Sequence, residues 1–155
     1  MATKIITRLE KLKIELPEAA APVANYVPYV ITDNLVFISG QIPFLNGKIQ
    51  YIGKLGKNIA IVEAQKAARL CGINLLSQLK NACGGDLDRV TQVIKINGFV
   101  NGTSDFTDQA LVINGTSDLM FEVFQEKGKH ARAAIGCNSL PLGAAVEVDA
   151  IFEIS

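Results

Sequence analysis

Two long stretches with apolar residues at helical spacing constrain the fold of this chain more than any other feature of its sequence. The first stretch extends from residue 59 to residue 83, and Gly84 and Gly85, which follow it, supply the end of a helix. Its apolar residues form one stripe along the helix, and because Cys71 belongs to that stripe, we interpret its thiol as part of the core. The apolar side chains recur in steps of three and four, at Ile61, Ala64, Ala68, Cys71, Leu75, Leu79 and Ala82.

The second helical stretch follows a turn at residues 101–102, and one of the polar residues 103–105 is expected to cap it. Gly115 is a weak point in this helix because glycine has a low helix propensity. Gly128 ends the pattern. The stripe consists of Phe106, Ala110, Ile113, Ser117, Met120 and Phe124.

Strand patterns occupy the segments around the two helices. Extended structure is predicted over residues 26–40, with a turn at Asp33 and Asn34, and over residues 90–100, 132–138 and 146–154. The order is therefore strand, strand, helix, strand, helix, strand, strand. Two helices can cover only one face of such a sheet, so we predict an α+β domain.

The last predicted strand indicates what each face of the sheet contacts. One side carries Val146, Val148, Ala150, Phe152 and Ile154, and we expect it to face the helices. The other side carries Glu147, Asp149, Ile151 and Glu153. That mixture is too apolar for water and too charged for a core, and it favours a subunit interface with polar pockets.

The first 21 residues differ from the rest and are interpreted as an N-terminal extension before a single domain over residues 22–155. Ile5, Leu9 and Leu12 have helical spacing, and Pro17 ends the pattern, so a short amphipathic helix is predicted.

Composition excludes several classes of protein. Fifteen basic residues balance fifteen acidic ones, which argues against a nucleic-acid partner. The three cysteines have no metal-binding spacing with the single histidine, His130, so no metal is expected. No signal peptide or membrane span is recognised, and we predict a soluble, cytoplasmic protein with no membrane partner.

Three groups of motifs occur in the same order and at the same distances as in a known family. Over residues 22–154 the chain resembles the YjgF/RidA family (endoribonuclease L-PSP-like, reactive intermediate deaminase). The motifs are Tyr26 followed by Ser39-Gly40-Gln41-Ile42-Pro43, then Asp86-Leu87-Asp88-Arg89-Val90 with Phe99-Val100, then Arg132, Leu140-Pro141 and Val146-Glu147-Val148-Asp149-Ala150-Ile151.

That resemblance implies a chorismate-mutase-like α+β fold with a mixed sheet. It implies a homotrimer whose sheets form a central barrel, with ligand clefts between subunits. It also implies a reaction: an enamine or imine from amino-acid dehydration is hydrolysed to a 2-keto acid and ammonia, with no metal or organic cofactor.

The resemblance further implies roles for particular residues. Arg132 would clamp the ligand carboxylate, because a planar guanidinium donates two parallel hydrogen bonds. Glu147 would position or deprotonate water and pass protons to the leaving amine. Substrate-binding positions would be Tyr26, Ser39, Gly40, Ala134 and Asn114.

Ordinary structural interpretations stand beside these roles. Arg132 could be a surface arginine, and Glu147 a solvated strand residue or the ion-pair partner of Arg132. A strand-end turn would explain Gly40, and a half-buried aromatic side chain would explain Tyr26.

Two departures from the family pattern stand out, and the first bears on activity. Ala134 stands where the deaminase branch has cysteine, and the stretch before Arg132 is shortened. Three hypotheses follow: an enamine or imine deaminase, a non-catalytic protein that binds small carboxylates, and a ribonuclease. Ala134 favours the second, and the neutral charge with a lone histidine counts against the third.

Overall fold

A five-stranded mixed sheet forms the centre of the molecule, and the computed structural model describes residues 3–21 and 24–155. The strand order is β1-β2-β7-β5-β6, in which β5 and β6 are parallel and every other pair is antiparallel. The predicted α+β class and order of elements are confirmed. The strands of this sheet are β1 (Tyr29–Thr32), β2 (Leu35–Gln41), β5 (Val90–Asn101), β6 (Ala131–Cys137) and β7 (Val146–Ile154), and a small hairpin contains β3 (Phe44–Leu45) and β4 (Lys48–Ile49).

Two long helices, α2 (Ile61–Ala82) and α3 (Gln109–Phe124), cover one face of the sheet. Helix α2 packs over β2 and β7, and α3 packs over β5 and β6. The end of α2 is the predicted one: Gly84 and Gly85 have φ of +66° and +97°, and the Gly85 N–H donates to the Lys80 carbonyl. Cys71 is fully buried in the core, as predicted.

Helix α3 starts later than predicted, because residues 103–106 form a turn instead. The Thr103 N–H donates to the Leu55 carbonyl at 2.9 Å, and the Thr103 hydroxyl donates to the Asp105 carboxylate. The structure gives Gly115, predicted as a weak point of the helix, a packing reason. A Cβ at that position would lie 2.1 Å from the Gln65 carbonyl oxygen, so this glycine permits the close approach of α2 and α3.

Alternate residues of β7 are buried along its whole length, which confirms the predicted helix-facing side. The face away from the helices is partly apolar. Cross-strand partners point to the same face, so Phe37, Ile151 and Lys95 form one row, and Glu147, Phe99 and Ile135 form another. Phe37 is 41% exposed and Ile135 51%, so this face leaves large apolar side chains uncovered in a single chain.

The N-terminal helix α1 (Lys4–Lys11) forms as predicted and is fastened to the domain. Its Leu9 is buried in the common core. The Asp88 carboxylate accepts from the backbone N–H groups of Lys4 and Ile5, both at 2.9 Å. The predicted domain boundary between residues 21 and 22 adjoins residues 22–23, which lie outside the described residues, and it stays a prediction.

Among residues 3–21 and 24–155, the helices are all too short or too polar to cross a lipid bilayer.

Candidate functional site

A cleft of about 620 Å³ opens where β2, the β3–β4 hairpin, α2 and the N-terminal segment meet. Four of the predicted site residues line it: Tyr26, Ser39, Gly40 and Glu147. One wall is built by residues 17–21, and the Gln78 side chain holds that wall by donating to the Ala20 carbonyl at 2.9 Å. Part of the predicted site, Tyr26, Ser39, Gly40 and Glu147, thus converges on one cavity, to which the N-terminal segment contributes.

A bulge in β2 presents Ser39 and Gly40 to the cleft. Between Ile38 and Gln41 this strand has one residue more than β7, and such a bulge turns side chains away from regular alternation. The Ser39 N–H donates to the Pro28 carbonyl at 2.9 Å, and its hydroxyl donates to the Val27 carbonyl at 2.8 Å. With its proton donated to Val27, the hydroxyl oxygen of this lining residue can only accept a further hydrogen bond.

Gly40 leaves the space that the Glu147 carboxylate occupies. A Cβ on Gly40 would lie 2.6 Å from Glu147 Oε1 and 3.1 Å from its Cδ. The simple alternative for Gly40, a strand-end turn, does not describe this position, because β2 continues to Gln41 and bulges here. Gly40 is therefore needed for the Glu147 carboxylate to lie in its observed position.

Glu147 is half-buried, and its carboxylate has an unusual electrostatic environment. Burial raises the pKa of Glu147, and the negative charge of Asp149 on the same face raises that pKa further. Within the described residues no donor reaches its carboxylate, and it forms no ion pair with Arg132. A carboxyl group of this kind exchanges protons more readily near neutral pH than an ordinary surface glutamate.

The other predicted site residues lie at the opposite end of the sheet, on the edge strand β6 and on α3. Arg132 is exposed, and its Nη1 donates to Asn114 Oδ1 at 2.8 Å and to Ser117 Oγ at 3.1 Å. Ala134 follows two residues later on the same face of β6, paired with Gly98. Nη2 and Nε of Arg132 make no hydrogen bond within the described part of the chain.

Two residues of this second cluster were missed by the sequence analysis. His130 Nε2 lies 2.9 Å from Ser117 Oγ, and His130 Nδ1 lies 2.7 Å from the Gly128 carbonyl oxygen. The sequence pattern places Ser117 in the apolar stripe, and His130 enters the sequence analysis only in the arguments against a metal site and a ribonuclease. The available signal was spacing, because Ser117 is one helical turn after Asn114 and His130 is two residues before Arg132.

The two clusters do not meet within one chain. Arg132 is in register with Ile96 and Ala150, which are buried under the helices. Glu147 is in register with Phe99 and Ile135, on the face away from the helices. Arg132 and Glu147 therefore lie on opposite faces of the sheet, with β5 between their strands.

The cleft itself has acidic but no basic side chains among its described lining residues. Glu18 and Glu147 line it, and lysine and arginine are absent from that part of the lining. The described lining therefore offers no cation to an anionic ligand in this cleft.

Comparison with known proteins shows the family. The sequence model of the family described as "YjgF/chorismate_mutase-like, putative endoribonuclease" matches residues 6–154. Protein TCP17 of Trypanosoma cruzi is 46% identical over 153 residues, which cover 98% of this chain and 95% of that protein.

A solved structure and a relative with a named activity extend this similarity. The crystal structure of Atu1372, a protein of unknown function from Agrobacterium tumefaciens, has 49% identity and a TM-score of 0.92, covering 97% of this chain and 92% of that one. A protein of Dermatophagoides farinae named 2-iminobutanoate/2-iminopropanoate deaminase is 28% identical, over 91% of this chain and 94% of its own length. Because the family match extends over nearly the whole chain, and the fold agrees with it, the chain belongs to the YjgF/chorismate mutase-like family, which confirms the YjgF/RidA resemblance.

Proposed function

We propose that this protein binds a small 2-imino or 2-enamino acid between two copies of itself and hydrolyses it to a 2-keto acid and ammonia. The proposal rests on one observation: Arg132 and Glu147 lie on different sides of a single subunit. On one side of the subunit lies a guanidinium whose Nε and Nη2 have no partner among the described residues. On the other lies a carboxylate with a raised pKa, in a cleft whose described lining has no cation.

Arg132 supplies the carboxylate clamp in this proposal. Both hydrogens of Nη1 are used by Asn114 and Ser117, so the guanidinium plane is held from one side. The Nε and Nη2 groups form the remaining edge, and they can donate two parallel hydrogen bonds to a carboxylate. A lysine could not replace this bidentate geometry.

Glu147 supplies the proton transfers. The substrate reacts as the protonated iminium, and the Glu147 carboxylate accepts a proton from water as the water oxygen bonds to the iminium carbon, which gives a neutral carbinolamine. The protonated Glu147 then returns that proton to the nitrogen. As the carbon–nitrogen bond breaks and ammonia leaves, the Glu147 carboxylate takes the hydroxyl proton, the carbonyl of the 2-keto acid forms, and Glu147 releases the proton to solvent. A side chain in this role typically contributes 10² to 10⁴ in rate, on the order of 3–5 kcal/mol.

A second copy of the chain is required because one chain keeps the two groups on opposite faces of its sheet. The exposed apolar side chains Phe37 and Ile135 on the open face support an interface there. We propose the homotrimer that the family resemblance implies, in which Arg132 of one subunit faces the cleft of its neighbour.

The cleft wall at residues 17–21 would face the side chain of the substrate. Beside Glu18, three consecutive alanines, Ala19 to Ala21, give this wall small apolar side chains, and Phe44 and Leu142 lie in the same cleft. Imino acids with short aliphatic side chains fit this lining best. The name of the Dermatophagoides farinae relative, which specifies four- and three-carbon imino acids, supports the same choice.

The experiment is a coupled assay. A dehydratase generates 2-aminoacrylate from serine, and the release of 2-keto acid is followed with and without the protein. The wild type is expected to accelerate release, and Arg132→Ala is expected to lose the acceleration. Lys129→Ala is a matched control, because Lys129 is an exposed cation three residues away that forms an ion pair with Glu126. No acceleration by the wild type, or full acceleration by Arg132→Ala, refutes the proposal.

A binding protein without catalysis is the second candidate, and Ala134 favours it. This residue lies on the same face of β6 as Arg132, at the position where the deaminase branch has cysteine, and its methyl group can transfer no proton. Stabilisation by 2-ketobutyrate in a thermal-shift assay, dependent on Arg132 but without hydrolysis of 2-aminoacrylate, would select this function.

A further inference from the structure

The cluster around His130 has a hydrogen-bond order that its geometry determines. The Gly128 carbonyl oxygen can only accept, so the nitrogen 2.7 Å away, His130 Nδ1, carries the proton and donates. In the neutral imidazole, Nε2 is then an acceptor. Ser117 Oγ, 2.9 Å from Nε2, must therefore be the donor of that hydrogen bond.

This assignment of donors and acceptors determines the hydrogen bond between Ser117 and Arg132. With its only hydrogen directed at His130, the Ser117 oxygen presents lone pairs to the guanidinium, and Arg132 Nη1 donates to it at 3.1 Å. The other Nη1 hydrogen is taken by Asn114 Oδ1 at 2.8 Å. A chain of hydrogen bonds thus runs from Arg132 through Ser117 and His130 to the backbone of Gly128.

The far end of this chain of hydrogen bonds is closely packed. Gly128 is buried, and a Cβ there would lie 2.2 Å from the Met120 carbonyl oxygen, so its backbone packs directly on α3. Ser117 and Asn114 lie on α3 themselves. Two side chains of α3, Asn114 and Ser117, therefore hold the Arg132 guanidinium in place. Without them, an arginine on an exposed edge strand would sample many rotamers.

We infer that His130 and Ser117 are positioning residues that hold the guanidinium of Arg132 with its Nε and Nη2 edge free for a ligand carboxylate. The inference rests on the proposed carboxylate clamp, but it does not need the hydrolysis step. Neither residue touches the ligand in this arrangement. Their effect is on how tightly a carboxylate binds, because the guanidinium is already ordered before the ligand arrives.

The test uses 2-ketobutyrate as the probe and measures its Kd by isothermal titration, together with KM and kcat for 2-aminoacrylate. His130→Ala and Ser117→Ala are each expected to raise Kd and KM by on the order of tenfold, as for a lost hydrogen bond that orients a charged group. The value of kcat should stay within about twofold, because the chemistry at Glu147 is untouched. Lys129→Ala is the matched control in the same turn, with wild-type values expected.

The double variant separates positioning from unrelated structural damage. Because both residues belong to one chain of hydrogen bonds, His130→Ala with Ser117→Ala should raise Kd no more than the larger single change. His130→Gln should restore part of the affinity, because its amide oxygen can accept from Ser117. If His130→Ala does not fold, His130→Gln and Ser117→Ala provide the same comparison.

Two outcomes overturn the inference by itself: wild-type Kd in folded His130→Ala and Ser117→Ala while Arg132→Ala loses binding, or multiplicative effects in the double variant. Equal binding of 2-ketobutyrate by wild type and Arg132→Ala overturns the carboxylate clamp, and this inference with it. Binding that follows the expected pattern without hydrolysis supports the inference and refutes only the deaminase reaction.

Discussion

Replacement of Gly40 by alanine should damage activity while leaving the fold intact. Gly40 is an exposed residue without a positive φ, so its backbone tolerates an L side chain. The new methyl group would lie 2.6 Å from Glu147 Oε1, whereas ordinary contacts begin at 3.4 Å. The carboxylate must therefore move by about 0.8 Å. It lies at the end of a flexible side chain, so the cost in folding free energy should stay below about 1 kcal/mol.

The effect on catalysis should be much larger than the effect on stability. A misplacement of about 1 Å can lower a rate by about a hundredfold. We therefore expect Gly40→Ala to lower kcat/KM for 2-aminoacrylate by about 30- to 100-fold, which corresponds to about 2–2.7 kcal/mol of transition-state stabilisation. The midpoint of thermal unfolding should fall by no more than a few degrees.

The assay is the coupled release of 2-keto acid, with thermal unfolding measured on the same samples. Gly102→Ala is the matched control, because a Cβ there meets its nearest neighbour, Phe106, at 3.4 Å and lies outside the cleft. In a Glu147→Gln variant, Gly40→Ala should lower kcat/KM little further, because the carboxylate that the new methyl group would displace is already absent. A folded Gly40→Ala variant with wild-type kcat/KM would show that the place of the Glu147 carboxylate does not matter.

Three further changes test other parts of the structure. Gly115→Ala should destabilise the protein by about 2–3 kcal/mol in urea unfolding, because the methyl group overlaps the Gln65 carbonyl; stabilisation, as helix propensity alone predicts, would contradict this packing. In the pH profile of kcat/KM, the acidic fall should have its midpoint above the ordinary glutamate pKa, because the raised pKa keeps Glu147 protonated, and inactive as a base, to higher pH. Asp149→Asn should move this midpoint to lower pH, and an unmoved midpoint would exclude an effect of the Asp149 charge on Glu147. Asp88→Ala should cost about 1 kcal/mol, because it removes the acceptor for the first N–H groups of α1, and unchanged stability would show that this cap is not needed.

Regular periodicity made most of the fold predictable. The stripe of α2 and the alternation of β7 each gave an element and its buried side, because burial of one face imposes the same period on the sequence as on the structure. The start of α3 was not predictable in this way. A tertiary contact, from Thr103 to Leu55, decides it, and no local pattern records a contact between residues so far apart in sequence.

The candidate site was predictable only in part for the same reason. The motifs indicated Arg132 and Glu147 as site residues. They could not indicate that the two side chains lie on opposite faces of the sheet, because that depends on the register of β6 and β7 with β5. The meeting of Ser117 with His130 was hidden because a serine in a helical stripe has the same pattern whether it faces the core or an edge strand. The packing role of Gly115 could not be predicted, because propensity describes an isolated helix, whereas the close approach of α2 is a tertiary feature.

The most direct measurement of the central claim, that one site takes its arginine and its glutamate from different copies of the chain, is subunit complementation. Arg132→Ala and Glu147→Gln are each expected to be inactive when purified alone. After they are unfolded together in equal amounts and reassembled, about a quarter of the sites in a cyclic assembly would join an intact arginine to an intact glutamate, and about a quarter of wild-type activity should return. If the mixture stays as inactive as its two components while mixed assemblies are shown to form, the two residues do not share a site across subunits, and the account is contradicted.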